Sequence, residues 1–326
     1  EWERKIRDYL AGKVGAIDSD VIGKKWSGSF DGYLVHDIVS NGQAFGVDTL
    51  LAAAIGSGTY HAGSGYVRML LADELSAPIS LGIDKVFNSN IYCFSSCFIR
   101  TFEIKSSASD GRMSFTVEFQ PHAFLHEGAD WNTITNTGVL PKALVYKPIR
   151  ILLFPDIQFL IDPIETGVPS SKLSISEISS FKWDNALSDH EFATVDTSHE
   201  DGYLPIAPVR SGERKVTLDI AVPRSSATTL RDYMLEETPL NIKILVDNAS
   251  AGIFIIKIPY AKIIKTDDTG SGADVIRPKY SFECYMGESY NDGAGNTAFH
   301  LEGTDNQDIL AEFAIEHKTQ RTGDIF

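Results

Sequence analysis

Cysteine is scarce. The 326-residue chain holds three, an odd number in a long chain, so no disulfide framework holds the fold together. Cys93 and Cys97 fall in "YCFSSCF", which reads as a strand. Side chains four residues apart on one strand face stand about 13 Å from each other, too far for a disulfide or for one zinc ion. Both read as small core residues. Long apolar runs are missing too: no window approaches 18 uninterrupted apolar residues, and the opening "EWERKIRDYLAGKV" is charged where a secretory leader would be apolar. The expectation is a chain made in a cytoplasm, without a membrane anchor. Positive charge is the third shortage. Against 44 Asp and Glu stand 29 Lys and Arg, a formal net charge of -15, which opposes adhesion to nucleic acid or anionic lipid. A DNA-gripping role is disfavoured, whereas a surface that DNA passes without sticking is compatible with this balance.

Motifs that carry chemistry are equally thin. There is no phosphate-binding Walker loop, and "GSGTYHAGSG" at 56–65 has His61 where a dinucleotide fingerprint needs its third glycine, so it reads as a flexible loop. "HEGAD" at 126–130 lacks the second histidine of a zinc protease and leaves His126 an exposed loop residue. "DDTGSGAD" at 267–274 lacks the alternating ligands and closing glutamate of a calcium loop, and reads as a turn between strands. "HEF" at 190–192 and "HED" at 199–201 set histidine beside carboxylates without a nucleophile elbow. No catalytic, cofactor or metal site is expected. Phe115, Phe119, Tyr280 and Phe282 share their strand faces with aliphatic residues and read as core, not as a base-stacking platform.

What the sequence has in quantity is alternation. In "RMSFTVEFQ" Met113, Phe115, Val117 and Phe119 point one way, and Ser114, Thr116, Glu118 and Gln120 the other. "RKVTLDIAV" sends Val216, Leu218, Ile220 and Val222 inward. One buried and one wet face per strand belongs to antiparallel sheets packed as a sandwich or barrel. Two stretches break the pattern as short helices. "GVDTLLAAAIGSG" offers Asp48 as N-cap and Gly56 as stop, and "SSATTLRDYMLEET" offers Ser or Thr near its N-cap and Pro239 beyond its end. "NQDILAEFAIEHK" fits either a helix on Ile309, Leu310, Phe313 and His317 or a strand, with helix preferred. "IFIIKIPYAKIIK" sets Pro259 in the middle of a strand, where no ladder hydrogen bond can be donated. It is expected at an edge or bend near a subunit contact.

The order of elements occurs twice. "WSGSFDGYLVHDIVS" and "VRSGERKVTLDIAVP" each lead into a helix, further strands, a long hairpin strand, a Gly-containing turn and an alternating last strand. Ile104 and Lys105 fall on Ile264 and Lys265, and Phe115, Val117 and Glu118 on Tyr280, Phe282 and Glu283. The expected organisation is mainly β: two antiparallel sandwich or half-barrel units, each with one short flanking helix. Residues 1–30 form an N-terminal arm, 26–125 the first unit, 126–150 a linker, 151–286 the second unit and 287–326 a C-terminal arm. The acidic connection 184–205 is too long for a hairpin turn. It and the arms are expected to reach a neighbouring copy.

On these residues the second unit, from "SKLSISEISSFKWDN" through "ATTLRDYML" and "PLNIKILVD" to "RPKYSFECY", resembles the tail tube (major tail) protein of long-tailed bacteriophages. The first unit is similar through "ISLGIDKVFNSNIYCFSSCFIRTFEIKSSASDGRMSFTVEFQ". That resemblance implies a structural, non-enzymatic virion subunit, assembled in the host cytoplasm into stacked rings around a hollow channel. A duplicated unit implies trimeric rings of pseudo-six-fold symmetry in preference to hexamers. The implied partners are further copies of the chain, a tape measure protein, tail terminator and tail tip proteins, and DNA in transit without specific binding. An acidic lumen would repel phosphate, and Glu103, Glu118, Asp219 and Glu283 are the candidate lumen carboxylates. The alternatives are another ring-forming component, such as a distal tail protein or a type VI secretion inner tube, and a carbohydrate-binding β-sandwich.

Overall fold

Alternation drives the structure, with one correction to the expected wet face: Gln120 is buried, its amide donating to the Ser188 carbonyl at 3.4 Å. Met113, Val117, Val216, Leu218, Ile220 and Val222 are all at most 1% exposed, while Glu118, Lys215 and Thr217 between them are exposed. The computed structural model describes residues 2–7, 18–24, 27–36, 47–56, 59–61, 66–71, 81–87, 90–128, 150–151, 153–166, 168–173, 176–188, 210–248, 252–267, 277–288 and 308–317. In chain order these form β1 (Trp2–Arg7), β2 (Asp18–Lys24), β3 (Gly28–Tyr33), β4 (Val35–His36), α1 (Val47–Ile55), β5 (Thr59–His61), β6 (Tyr66–Leu71), β7 (Leu81–Phe87), β8 (Asn90–Ser106), β9 (Met113–Gly128), β10 (Arg150–Ile151), β11 (Ile157–Pro163), β12 (Lys172–Leu173), β13 (Glu177–Asp184), β14 (Lys215–Ala221), α2 (Arg224–Leu235), β15 (Leu240–Asn248), β16 (Gly252–Asp267), β17 (Lys279–Cys284), β18 (Gly287–Glu288), β19 (Asp308–Ile309) and β20 (Ala311–His317).

The chain is mainly β, and its principal sheet has 14 strands in the order β12-β11-β15-β16-β17-β14-β13-β8-β9-β3, with β20, β6, β5 and β7 branching from it. The sheet is open, and it runs without a break from the first expected unit into the second through the β8–β13 pairing. Four strands in each half have the same neighbour order, all antiparallel. These are β3-β9-β8-β7, with α1 between β3 and β7 in sequence, and β14-β17-β16-β15, with α2 between β14 and β15.

Pro259 explains the branch. The Gly252–Lys257 part of β16 pairs with β20, whereas the Ala261–Asp267 part pairs with β17, and at the change β16 carries one extra residue, Pro259 and Tyr260 standing against the single Asn241 of β15. A residue without an N–H fits where one partner stops and another begins. Pro259 therefore lies buried at a bend inside the sheet, not at its edge. Gly287 closes the gap, because a Cβ there would meet the Tyr260 Cβ at 2.7 Å.

The branch folds one part of the sheet over another. Phe313 of β20 lies 5.4 Å from the Trp183 ring and 5.9 Å from Phe181, both on β13. Trp183 in turn stacks on Phe102 of β8 at 4.5 Å and 6°. These rings form the centre of one core, which also takes in α1 residues Leu51 to Ile55.

Several expectations need correction. The 309–317 segment is strand, not helix: it lies between β16 and β6, and Ile309 through Ile315 are buried on both faces, which erases the period-two signal. The expected C-terminal arm thus supplies strands to the chain's own sheet. Asp48 is the second residue of α1 and not its cap, although Gly56 (φ 92°) ends that helix, its N–H reaching the Ala52 carbonyl at 2.8 Å. Pro223, without a side-chain cap, precedes α2 where Ser or Thr was expected. Within 56–65, Thr59–His61 is strand paired with β6. β9 continues to Gly128, three residues into the expected linker and past His126. Ile264, aligned by sequence with the fully buried Ile104, is 57% exposed because β16 bulges beside it. The "HEF" and "HED" motifs, all of 268–274 and most of the 184–205 connection lie outside the described residues.

Candidate functional site

Seven adjacent strands, β3-β9-β8-β13-β14-β17-β16, turn one face to the core and the other to solvent. Register aligns the solvent-side residues into rows. Asp31, Thr116, Glu103, Lys182, Thr217, Glu283 and Lys262 stand opposite one another from β3 to β16. A flanking row runs Ser29, Glu118, Thr101, Asp184 and Lys215, and another Ser180, Asp219, Ser281 and Lys265. Directly opposed residues share a face. All four candidate carboxylates, Glu103, Glu118, Asp219 and Glu283, therefore lie on one polar face, brought together from four strands.

That face is not uniformly acidic. Lys105 approaches Glu103 at 2.9 Å, and Lys279 approaches Asp219 at 2.9 Å. Arg277 pairs with Glu177 at the rim. Glu103 also accepts a hydrogen bond from the Ser180 hydroxyl at 2.6 Å, and Glu118 one from Thr101 at 3.0 Å. Partial burial pushes the Glu103 carboxyl up, but Ser180 and Lys105 outweigh it and hold it below its ordinary value. Tyr285, next to the row, donates its hydroxyl to Glu283 at 2.6 Å; this bond, with some burial, pushes the phenol up to about 12. Pro259 lies one residue before Tyr260, whose ring meets Tyr285 edge-on at 5.6 Å.

Neither a protein-family model nor a curated protein matches this chain.

Lys215 shares the outward set of its strand with Asp219 by alternation alone, but Lys182 and Lys262 escaped sequence reading, since only the register tells which strand stands beside which. Lys182 and Lys262 alternate with apolar neighbours just as the chosen carboxylates do, and that period-two pattern was the available signal. A second set of charged groups lies elsewhere, on the branch. Lys243, Lys257 and Glu312 stand in one cross-strand row over β15, β16 and β20, at most 9% exposed, with Lys257 Nζ 3.6 Å from Glu312. Among the described residues no three His, Cys, Asp or Glu side chains gather where they could hold a metal ion.

Proposed function

We propose that the chain is a structural subunit of a hollow tube of the phage-tail type, and that the mixed-charge face of its seven-strand stretch lines the channel. One observation carries this reading. The two halves share strand order and helix placement and already join edge to edge through β8 and β13, so a single chain contains two copies of a wall segment and one seam between them. A duplicated segment of this kind builds a pseudo-six-fold ring from three chains.

The face suits passage of DNA by a different route from the one expected. Polyanion adhesion draws on lysines that release counterions when they meet phosphate. Here ammonium groups such as Lys105 and Lys279 already meet carboxylates. Carboxylates and ammonium groups interleave across the lining, and a mosaic of both signs gives little long-range attraction at physiological salt.

Negative-stain microscopy of the purified protein tests the reading. Rings or tubes with an open channel, three chains to a ring, are the expected outcome. A persistent monomer, above all one that binds glycans, sinks it, and a ring of six full chains removes the duplicated-trimer arrangement.

A further inference from the structure

The seam inside the chain is made of two parts. β13 pairs with the C-terminal part of β8, setting Phe181 against Ile104 and Lys182 against Glu103. Just past β13, the Asn185 amide donates to the Ala54 and Ile99 carbonyls at 2.8 Å each. Arg214, one residue ahead of β14, donates to the Ile55 carbonyl at 3.0 Å. The carbonyl end of α1 is thus capped from across the seam, as the helix dipole favours. Ile55 and Ile104 are fully buried.

The other half repeats the elements without the cover. Leu235 ends α2 as Ile55 ends α1, yet it is 69% exposed, and Ile264 is 57% exposed. These are the two largest exposures among the large hydrophobic side chains described. Along β16, pairing with β15 stops at Ala261, so Lys262–Lys265 has β17 on one edge and no described strand on the other.

We propose that the Leu235 end of α2 and the Lys262–Lys265 edge of β16 together form a docking surface for a second copy of this chain. The second copy covers them as β13, Asn185 and Arg214 cover β8 and α1. It presents its β3 side, since β3 has β9 on one edge and no described strand on the other, where its counterpart β14 carries β13. The charges match: exposed Asp31 on β3 and Lys262 on β16 are the two ends of one cross-strand row. The inference rests on the reading of the chain as a self-assembling subunit and adds which surface associates.

The test compares wild type with Leu235→Glu and, separately, Ile264→Glu in the full chain, by sedimentation velocity and negative-stain microscopy, with circular dichroism and thermal unfolding as fold controls. Both side chains are solvent-facing, so unfolding is expected to stay unchanged. The protein concentration needed for self-association is expected to rise about tenfold or more, from the burial lost at a leucine contact. If L235E lowers the unfolding temperature, the milder Leu235→Ser replaces it. Rings that persist in the variants at wild-type concentration overturn the docking surface and leave the tube reading standing. Wild-type oligomers without a channel that are lost in the variants support the docking surface and overturn the tube. A wild type that stays monomeric overturns both.

Discussion

Single residues around the polar face and the branch report on the fold through their protons. Tyr285 is expected to ionise near pH 12 because its hydroxyl serves Glu283. In ultraviolet titration, Glu283→Gln should return one tyrosine towards the ordinary value of 10; no change would remove that hydrogen bond from the account. Asp162 clamps the turn after β11, accepting from the backbone N–H groups of Ser170 and Ser171 at 2.6 and 2.9 Å. Burial alone raises its carboxyl, but the serine donors more than reverse this, so the folded value lies below the ordinary 3.8. A carboxyl held down by folding contributes fully above its unfolded value and loses that contribution as pH falls through the folded one. Asp162→Asn is therefore expected to destabilise by about 1–3 kcal/mol at neutral pH, and by less in acid below the ordinary value; urea unfolding at both conditions checks the sign. At the branch, Glu312 stands opposite Lys257, whose other cross-strand neighbour is Lys243. Removing the carboxylate leaves two ammonium groups side by side in the interior. Glu312→Ala is expected to cost about 3–5 kcal/mol, and pairing Lys257→Met with Glu312→Leu to recover a large part of it in a double-mutant cycle.

Elements show where the sequence was readable. Strands with one wet face, such as β9 and β14, follow from period two alone. β20 did not, because strands flank it on both sides and the core covers both faces. Phe313, with Ile309 and Leu310 just ahead of the strand, then falls at a spacing that also suits a helix. The same limit applied to the candidate site: the carboxylates stood out by net charge and alternation, and Lys105 stands two residues from Glu103 on the same strand, whereas the place of Lys182 opposite Glu103 depended on the pairing of β8 with β13. The cap on α1 is another long-range feature, drawn from residues more than 130 positions away. Arg214→Ala is expected to destabilise by about 1–3 kcal/mol, since the buried Ile55 carbonyl loses a charged donor. Hydrogen exchange should localise the opening to α1 and the β8–β13 seam. Protection lost evenly over the sheet would argue against a local cap. Gly287 gives a steric counterpart: Gly287→Ala places a methyl against Tyr260 and is expected to lower stability by about 1–3 kcal/mol.

At the scale of the whole molecule the charge balance acquires an address. The excess of 44 acidic over 29 basic residues does not concentrate on the described seven-strand face, where lysines and carboxylates interleave. A like-charged wall would assemble more readily as salt screens its repulsion, whereas assembly through this balanced stretch should not be promoted by salt, and sedimentation across ionic strengths measures the difference. Direction matters as well. Every pairing from β3 to β16 is antiparallel, and seven is odd, so the first and last strands point the same way. A neighbour related by rotation about a ring axis keeps that polarity. In the proposed ring β16 and the next β3 meet as a parallel pair, whereas the seam inside each chain is antiparallel. Parallel ladders are slightly weaker per residue. The ring would carry a built-in tear line at every chain boundary, opening under denaturant into intact protomers before any protomer unfolds.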